Sequence, residues 1–379
     1  MDITILCKVV DNFGDIGVVY RLARAIEDVR NQFNDITELK IRIVVDNLKS
    51  FSMLVPQIKP ELDYQQYNGW EIFQWDNNQL CFDEFSKNPP EVILECFQCG
   101  RPEWLEELLF VKKVPNIVNI IMIDYLTGEN YAEDFHCLQS LTRSARVKKV
   151  NFMPGFTDKT GGLILDKAFV DSWDYAQKIK SENNIQAEFL ELVFFSYPKD
   201  LVPVIKAFEQ FEQKSEKKIN VRLAKGAGYE SFVDSWKKCG KNIHLEELDF
   251  IPQEEWDFLL CKTPLLFIRG EDSLARACLS GNPFIWHAYP QSEDYHLVKV
   301  QGLLNQLKPF FTENEYIIVE KCWKIYNGEE GDLQSAVEEF LFNYDKLKNG
   351  FEKFAINLKK NGDLAFHLMT FILKTCMIE

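Results

Sequence analysis

The sequence predicts an α/β protein of two doubly wound, Rossmann-like domains, each a mostly parallel sheet, facing a central cleft. Short, nearly continuous runs of Val and Ile alternate with helical patterns in both halves of the chain. Such runs suit parallel strands covered on both faces. A strand–Gly turn–helix unit occurs in each half, and a stretch punctuated by Pro and Gly lies between them. At 379 residues the chain is long enough for two hydrophobic cores.

In the first half the pattern places strands over 3–10, 39–45, 70–75, 91–97 and 116–123. From Val18 the periodicity turns helical through Leu22, Ala23 and Ile26. Asn151-Phe152-Met153-Pro154-Gly155-Phe156 then leads into Thr160-Gly161-Gly162, a texture that suits a domain boundary. The expected division is 1–155 for the first domain and 156–354 for a linker and the second domain. The second half places strands over 189–197, 219–224, 265–269 and 283–288, with helices over 202–211, 254–261 and 273–279. From Leu333 onward the tail is helical, with amphipathic spacing in Phe351, Phe354, Ile356 and Leu358.

Acidic residues outnumber basic ones by 58 to 43, a net charge of −15. That balance argues against non-specific binding to nucleic acid or to an anionic membrane, although a local basic patch remains compatible with it. The N-terminus lacks a signal-peptide pattern, and no run reaches the roughly 18 apolar residues of a membrane span. The ten cysteines are scattered and read as reduced thiols of a cytoplasmic protein. Cys96 and Cys99 form the only close pair, read as two small hydrophobes at a strand end ahead of a zinc or redox site. No G-x-G-x-x-G, Walker A lysine loop, H-E-x-x-H, G-x-S-x-G or Asp-x-Asp occurs.

The loop after the first strand reads Asp11-Asn12-Phe13-Gly14-Asp15-Ile16-Gly17. Turns of this kind usually offer backbone amides to a phosphate. Two aspartates there would repel a pyrophosphate, whereas the helix N-terminus favours them. The loop therefore reads as built to meet a cation or a proton donor. A turn acid plus an N-cap, without catalysis, is the plainer reading of the same residues. In the second half, Leu265-Leu266-Phe267-Ile268-Arg269 runs into Gly270-Glu271-Asp272-Ser273. Asp272 or Ser273 is expected to N-cap the following helix, with Glu271 ahead of the cap. Backbone amides, the Ser273 hydroxyl and Arg269 would together cradle a diphosphate. A capped helix after a buried strand is the alternative. Trp286-His287-Ala288-Tyr289 reads as a pocket wall or an ordinary buried strand, with His287 a satisfied core residue.

Three stretches occur together in a characteristic order and spacing. They are the first loop with Arg21-Leu22-Ala23-Arg24, then Pro154-Gly155-Phe156-Thr157 with Thr160-Gly161-Gly162, then Arg269-Gly270-Glu271-Asp272-Ser273 ahead of Trp286-His287. In this the chain resembles the protein-arginine rhamnosyltransferase (EarP) family, from the first strand to about residue 300. The resemblance implies a GT-B glycosyltransferase fold. It also implies inverting, metal-independent transfer of L-rhamnose from dTDP-β-L-rhamnose to an arginine of elongation factor P, with no cofactor. The C-terminal domain would hold the donor, the N-terminal domain would meet the acceptor, and a final helix at about 355–379 would pack back on the latter. Catalytic roles fall on Asp11, Asp15 and Glu271. Donor contacts fall on Asn12, Phe13 and Gly14, and on Tyr197, Phe250, Gln253, Arg269, Asp272 and Ser273. Phe250 would stack on the base and Gln253 would read the thymine edge. Cys96-Phe97-Gln98-Cys99-Gly100 and Lys225-Gly226 match the family loosely.

An arginine nucleophile constrains the chemistry. Its pKa exceeds ~12 against ~3.9 for Asp, so a ground-state proton transfer would cost about 11 kcal/mol. Paired aspartates suit a different plan. One orients the guanidinium through charge-assisted hydrogen bonds, and the other takes the proton as the C–N bond forms. We assign Asp15 as general base and Asp11 as the orienting carboxylate; the reverse stays open, as does the role of Glu271. Two other readings stand beside this one. They are a different GT-B nucleotide-sugar enzyme, transferase or epimerase, and a nucleotide-sugar-binding module without chemistry.

Overall fold

The computed structural model describes residues 1–10, 13–112, 114, 116–182 and 188–376. Two compact units emerge, Met1–Lys167 with Asn361–Glu379, and Ala168–Lys360.

In the first unit, β1 (Asp2–Cys7), β2 (Lys40–Val45), β3 (Tyr64–Tyr67), β4 (Trp70–Gln74), β5 (Val92–Cys96), β6 (Val118–Ile123), β7 (Gln139–Ser140) and β8 (Val147–Phe152) form one sheet. Its order is β3-β4-β2-β1-β5-β6-β8-β7. The inner pairs are parallel and the edge pairs β3/β4 and β7/β8 antiparallel. Along β1, Ile3, Ile5 and Cys7 pack into one core and Leu6 into another, so both faces are covered and the strand reads as one apolar run. The helices are α1 (Gly14–Arg30), α2 (Leu48–Leu54), α3 (Asn78–Lys87), α4 (Glu103–Glu106) and α5 (Tyr131–Phe135). Ile16, Val19, Leu22, Ala23 and Ile26 give α1 its buried stripe.

In the second unit, β9 (Phe189–Phe194), β10 (Lys218–Ala224), β11 (His244–Leu248), β12 (Leu265–Arg269) and β13 (Phe284–His287) form an all-parallel sheet in the order β11-β10-β9-β12-β13. Its helices are α6 (Lys167–Glu182), α7 (Val202–Lys214), α8 (Tyr229–Cys239), α9 (Gln253–Lys262), α10 (Glu271–Ser280), α11 (Tyr295–Leu307), α12 (Glu313–Tyr326) and α13 (Leu333–Lys360). Phe351, Phe354 and Leu358 are buried on α13, but Ile356 is 51% exposed. Five residues beyond Phe351, Ile356 falls on the opposite face of a 3.6-residue helix, so it does not belong to the expected stripe.

The division falls later than the expected residues 155 and 354, because the Pro/Gly stretch is part of the first unit. α14 (Leu364–Cys376) belongs to that unit too. Leu364 N–H donates to Leu163 O at 2.9 Å, and Leu165 N–H donates to the Asp363 carboxylate at 2.7 Å. Gly162 adopts φ +84°, and a Cβ there would lie 2.9 Å from Gly362 O. The Thr160-Gly161-Gly162 signal is thus a close backbone approach and not a flexible joint.

Next to this seam lies a buried ion pair. Arg21, fully buried, donates to Asp166 Oδ1 at 3.1 Å, and Arg24 reaches Oδ2 at 3.0 Å. Removing one partner strands an uncompensated charge. Asp166→Ala should therefore cost about 3–5 kcal/mol of stability, read as a lower urea midpoint at unchanged slope.

Candidate functional site

Open parallel sheets bind ligands beyond the C-terminal strand ends, where strand order reverses. In the first sheet the reversal lies between β1 and β5, and in the second between β9 and β12. The turns singled out from the sequence follow β1 and β12, so topology places each at such a point.

In the first unit, Phe13 stands at the N-cap position of α1, Gly14 is its first residue and Asp15 its second. Asp15 is only 3% exposed, and its Oδ2 accepts the Val10 N–H at 2.7 Å. Asp46, at the end of β2, accepts the neighbouring Val9 N–H at 2.8 Å. Two carboxylates thus tie down the end of β1. Asp11 and Asn12 lie outside the described residues. The thiols of Cys7 and Cys96 lie at the ends of β1 and β5. Burial pushes both up, and the Asp15 charge adds to the effect. Cys99 donates weakly to Leu6 O at 3.5 Å, and burial pushes its thiol up to about 12. Among the described residues no group of His, Cys, Asp and Glu is arranged to hold a metal ion, and no helix is long and apolar enough to cross a membrane.

In the second unit, Arg269 ends β12 and is 5% exposed. Its guanidinium lies over the rings of Phe195 and Tyr197, with Cζ 4.3 Å and 4.7 Å from the centroids. The helix beyond it does not start as expected. Gly270, at φ +72°, turns the strand straight into α10, which begins at Glu271 and has no side-chain cap. Glu271, Asp272 and Ser273 therefore occupy the first turn, and neither Asp272 nor Ser273 is the cap. A left-handed glycine makes the entry that a polar cap would otherwise stabilise. Their side chains are committed elsewhere. Gln253 Nε2 donates to Asp272 Oδ2 at 3.4 Å, and Trp256 Nε1 donates to Ser273 Oγ at 3.2 Å. Phe250 precedes α9 and is 45% exposed, and Tyr197 is buried against His287 and Tyr289.

Arg269, Phe195, Tyr197, Trp256 and Ser273 form one connected cluster, which Trp256 completes by packing edge-on to Phe195 at 5.4 Å, and the Gln253–Asp272 pair adjoins it in the chain. Sequence reading missed Phe195 and Trp256, and took Gly226 only as part of a loose match. Trp256 lies one helical turn beyond Gln253, a signal that periodicity offers. A Cβ on Gly226 would lie 2.8 Å from the Phe195 ring and 3.4 Å from Arg269 Nη2, so this strand end needs glycine.

Two such units, each with a polar turn at its switch point, give the GT-B glycosyltransferase architecture. Residues 3–373 match the family model of the elongation factor P (EF-P) rhamnosyltransferase EarP. A protein-arginine rhamnosyltransferase of Shewanella oneidensis is 32% identical, covering 98% of this chain and 97% of that one. The chain belongs to the EarP family and is a glycosyltransferase. A solved structure described as the structural basis for EarP-mediated arginine glycosylation of translation elongation factor EF-P superposes with TM-score 0.61 at 18% identity, covering 99% of both chains. UDP-GlcNAc 2-epimerase from Neisseria meningitidis, bound to UDP-GlcNAc, superposes at 0.56 with 12% identity, covering 99% of this chain and 100% of that one. The fold is thus shared with epimerases, and the sequence family makes the choice.

Burial pushes the His287 imidazole down to about 3, helped by the nearby positive charges of Lys199, His296 and Arg269. The unfolded chain binds a proton near pH 6.5 that the folded chain refuses. Stability from this group is therefore complete above that pH and is lost as pH falls towards 3. From pH 7 to 5 the native state should lose about 2 kcal/mol through this imidazole. His287→Asn should remove that part of the slope in urea titrations at the two pH values.

Proposed function

We propose that this chain transfers L-rhamnose from dTDP-β-L-rhamnose to an arginine side chain of elongation factor P, with inversion and without a metal ion. The match of residues 3–373 to the EF-P rhamnosyltransferase family carries the proposal. The second unit supplies the donor site. Phe250 stacks on the thymine, Gln253 reads its edge, and Arg269 with the first turn of α10 meets the diphosphate. Asp272, Ser273 and Tyr197 shape the same pocket. On the first unit, Phe13, Gly14 and Asn12 border the sugar, and Asp11 and Asp15 take the acceptor guanidinium.

The reaction needs no free deprotonated guanidine. As C–N bond formation advances, the attacking nitrogen loses basicity, and Asp15 accepts its proton within the transition state. The diphosphate leaves as an anion stabilised by Arg269 and the helix N-terminus. Glu271 acts beside these groups on the sugar or the acceptor. Asp15 suits a fixed base, because its carboxylate is buried and already oriented by the Val10 N–H.

Incubation of elongation factor P from the same organism with this protein and dTDP-β-L-rhamnose should add one deoxyhexose to an arginine, read by intact mass. Asp15→Asn should lower the transfer rate by about 10²–10⁴-fold with donor affinity retained; a variant that turns over normally rules Asp15 out as base. Ser273→Ala should instead weaken donor binding by about tenfold in calorimetry.

A further inference from the structure

We propose that His287 is a positioning residue of the donor pocket, fixing Tyr197 beneath Arg269 while Asn327 pins the backbone on either side of the imidazole. This rests on the donor-binding reading of the second unit. His287 ends the edge strand β13 and stands in register opposite Arg269 on β12. Its Nδ1 accepts the backbone N–H of Tyr197 at 3.2 Å, which leaves the ring proton on Nε2. Ser196 Oγ lies 2.9 Å from the same Nδ1, 2.9 Å from Tyr197 O and 3.3 Å from the Tyr326 hydroxyl. The imidazole also meets the Tyr197 ring edge-on, with centroids 5.4 Å apart. One side chain therefore meets both the backbone and the ring of Tyr197.

Among the described residues no strand lies beside the outer edge of β13, and Asn327 takes that place. Its Oδ1 accepts the Ala288 N–H at 2.9 Å, and its Nδ2 donates to Trp286 O at 2.8 Å. These bonds bracket His287 on both sides. The Asn327 carbonyl accepts His296 Nε2–H at 2.9 Å, which holds the end of α12 in turn. His287, Ser196, Tyr197, Tyr326 and Asn327 are all at least nine-tenths buried. A residue that only filled volume would need none of this hydrogen bonding. Losing the acceptor at Nδ1 breaks the hydrogen bond that the Tyr197 amide makes inside the protein. The rings that flank Arg269 then lose their fixed wall, and the guanidinium loses its aim at the donor.

The test compares His287→Leu, which keeps volume and loses the acceptor, with His287→Asn, whose Oδ1 replaces Nδ1. Binding of dTDP-β-L-rhamnose is measured by calorimetry and turnover at varied donor, with urea unfolding run in parallel. His287→Leu should weaken donor binding about tenfold and raise the donor KM in step, with kcat at saturating donor little changed. His287→Asn should recover most of the affinity. Ser196→Ala, a smaller change that leaves the fold less burdened, should weaken the donor in the same direction. Wild-type affinity in His287→Leu or in Ser196→Ala overturns the proposal, as does equal weakening by Leu and Asn. A wild-type protein that binds no donor overturns the donor reading and this inference with it.

Discussion

The pairing of Arg21 and Arg24 with Asp166 is the constraint on which the first unit depends. Arg21 is fully buried, and Asp166 is almost so. Charges taken out of water this completely remain only where the partner geometry is fixed. The geometry is fixed from two sides. α1 carries both arginines, and the segment bearing Asp166 is sewn to α14 by Leu163, Leu165 and Asp363. Asp15 sits on the first turn of that same α1. On the proposed reading Asp15 must meet one nitrogen at one angle, which a helix free to roll would not allow, since errors near 1 Å are costly in catalysis. The rotational setting of α1 is thus decided some distance from the loop that uses it.

The second unit solves its positioning problem with aromatic rings instead. Arg269 lies against the faces of Phe195 and Tyr197, contacts that help to fix a planar guanidinium. That suits a turn whose first helical residues are both acidic, Glu271 and Asp272. On the proposed reading the donor diphosphate meets these acids only because an arginine and the helix N-terminus stand beside them. Gly226 and the Trp256–Phe195 contact keep the rings in place, so residues that touch no donor still set where its charge is met.

Much of this was legible in the residues. The strands buried on both faces announced themselves as apolar runs, and both polar turns followed such runs. The edge strands β3 and β11 did not. β3, with Tyr-Gln-Gln-Tyr, and β11, with two glutamates, are half in water, so burial never shaped their composition into a pattern. β8 was hidden by Lys148 and Lys149 between its buried Val147 and Val150. The start of α10 was misplaced because polar residues near a helix end suggest a cap, whereas a left-handed backbone at Gly270 writes no such signal. The Pro/Gly stretch before residue 163 read as a joint because glycine marks looseness and close approach alike. Only the nearness of Gly362, two hundred residues on, decides between them.

Both units place a polar turn where strand order reverses, and on the proposed reading the two turns meet substrates of opposite charge. A helix N-terminus carries partial positive charge, and β1 leads into one that the protein fills with the Asp15 carboxylate. An anion from outside would find that place taken. At the end of β12 the same kind of helix start lies next to the buried Arg269, which adds positive charge where an anion would arrive. On that reading one backbone device thus serves a cationic acceptor in one unit and an anionic donor in the other. Both helices open with acidic residues, and what sets the second turn apart is the Arg269 guanidinium at its strand end. For a reaction that joins a guanidinium to a sugar leaving its diphosphate, that division keeps each turn selective. On the proposed reading Asp15 disfavours the donor's phosphates at the first turn, and Arg269 offsets Glu271 and Asp272 at the second so that a diphosphate can be met there.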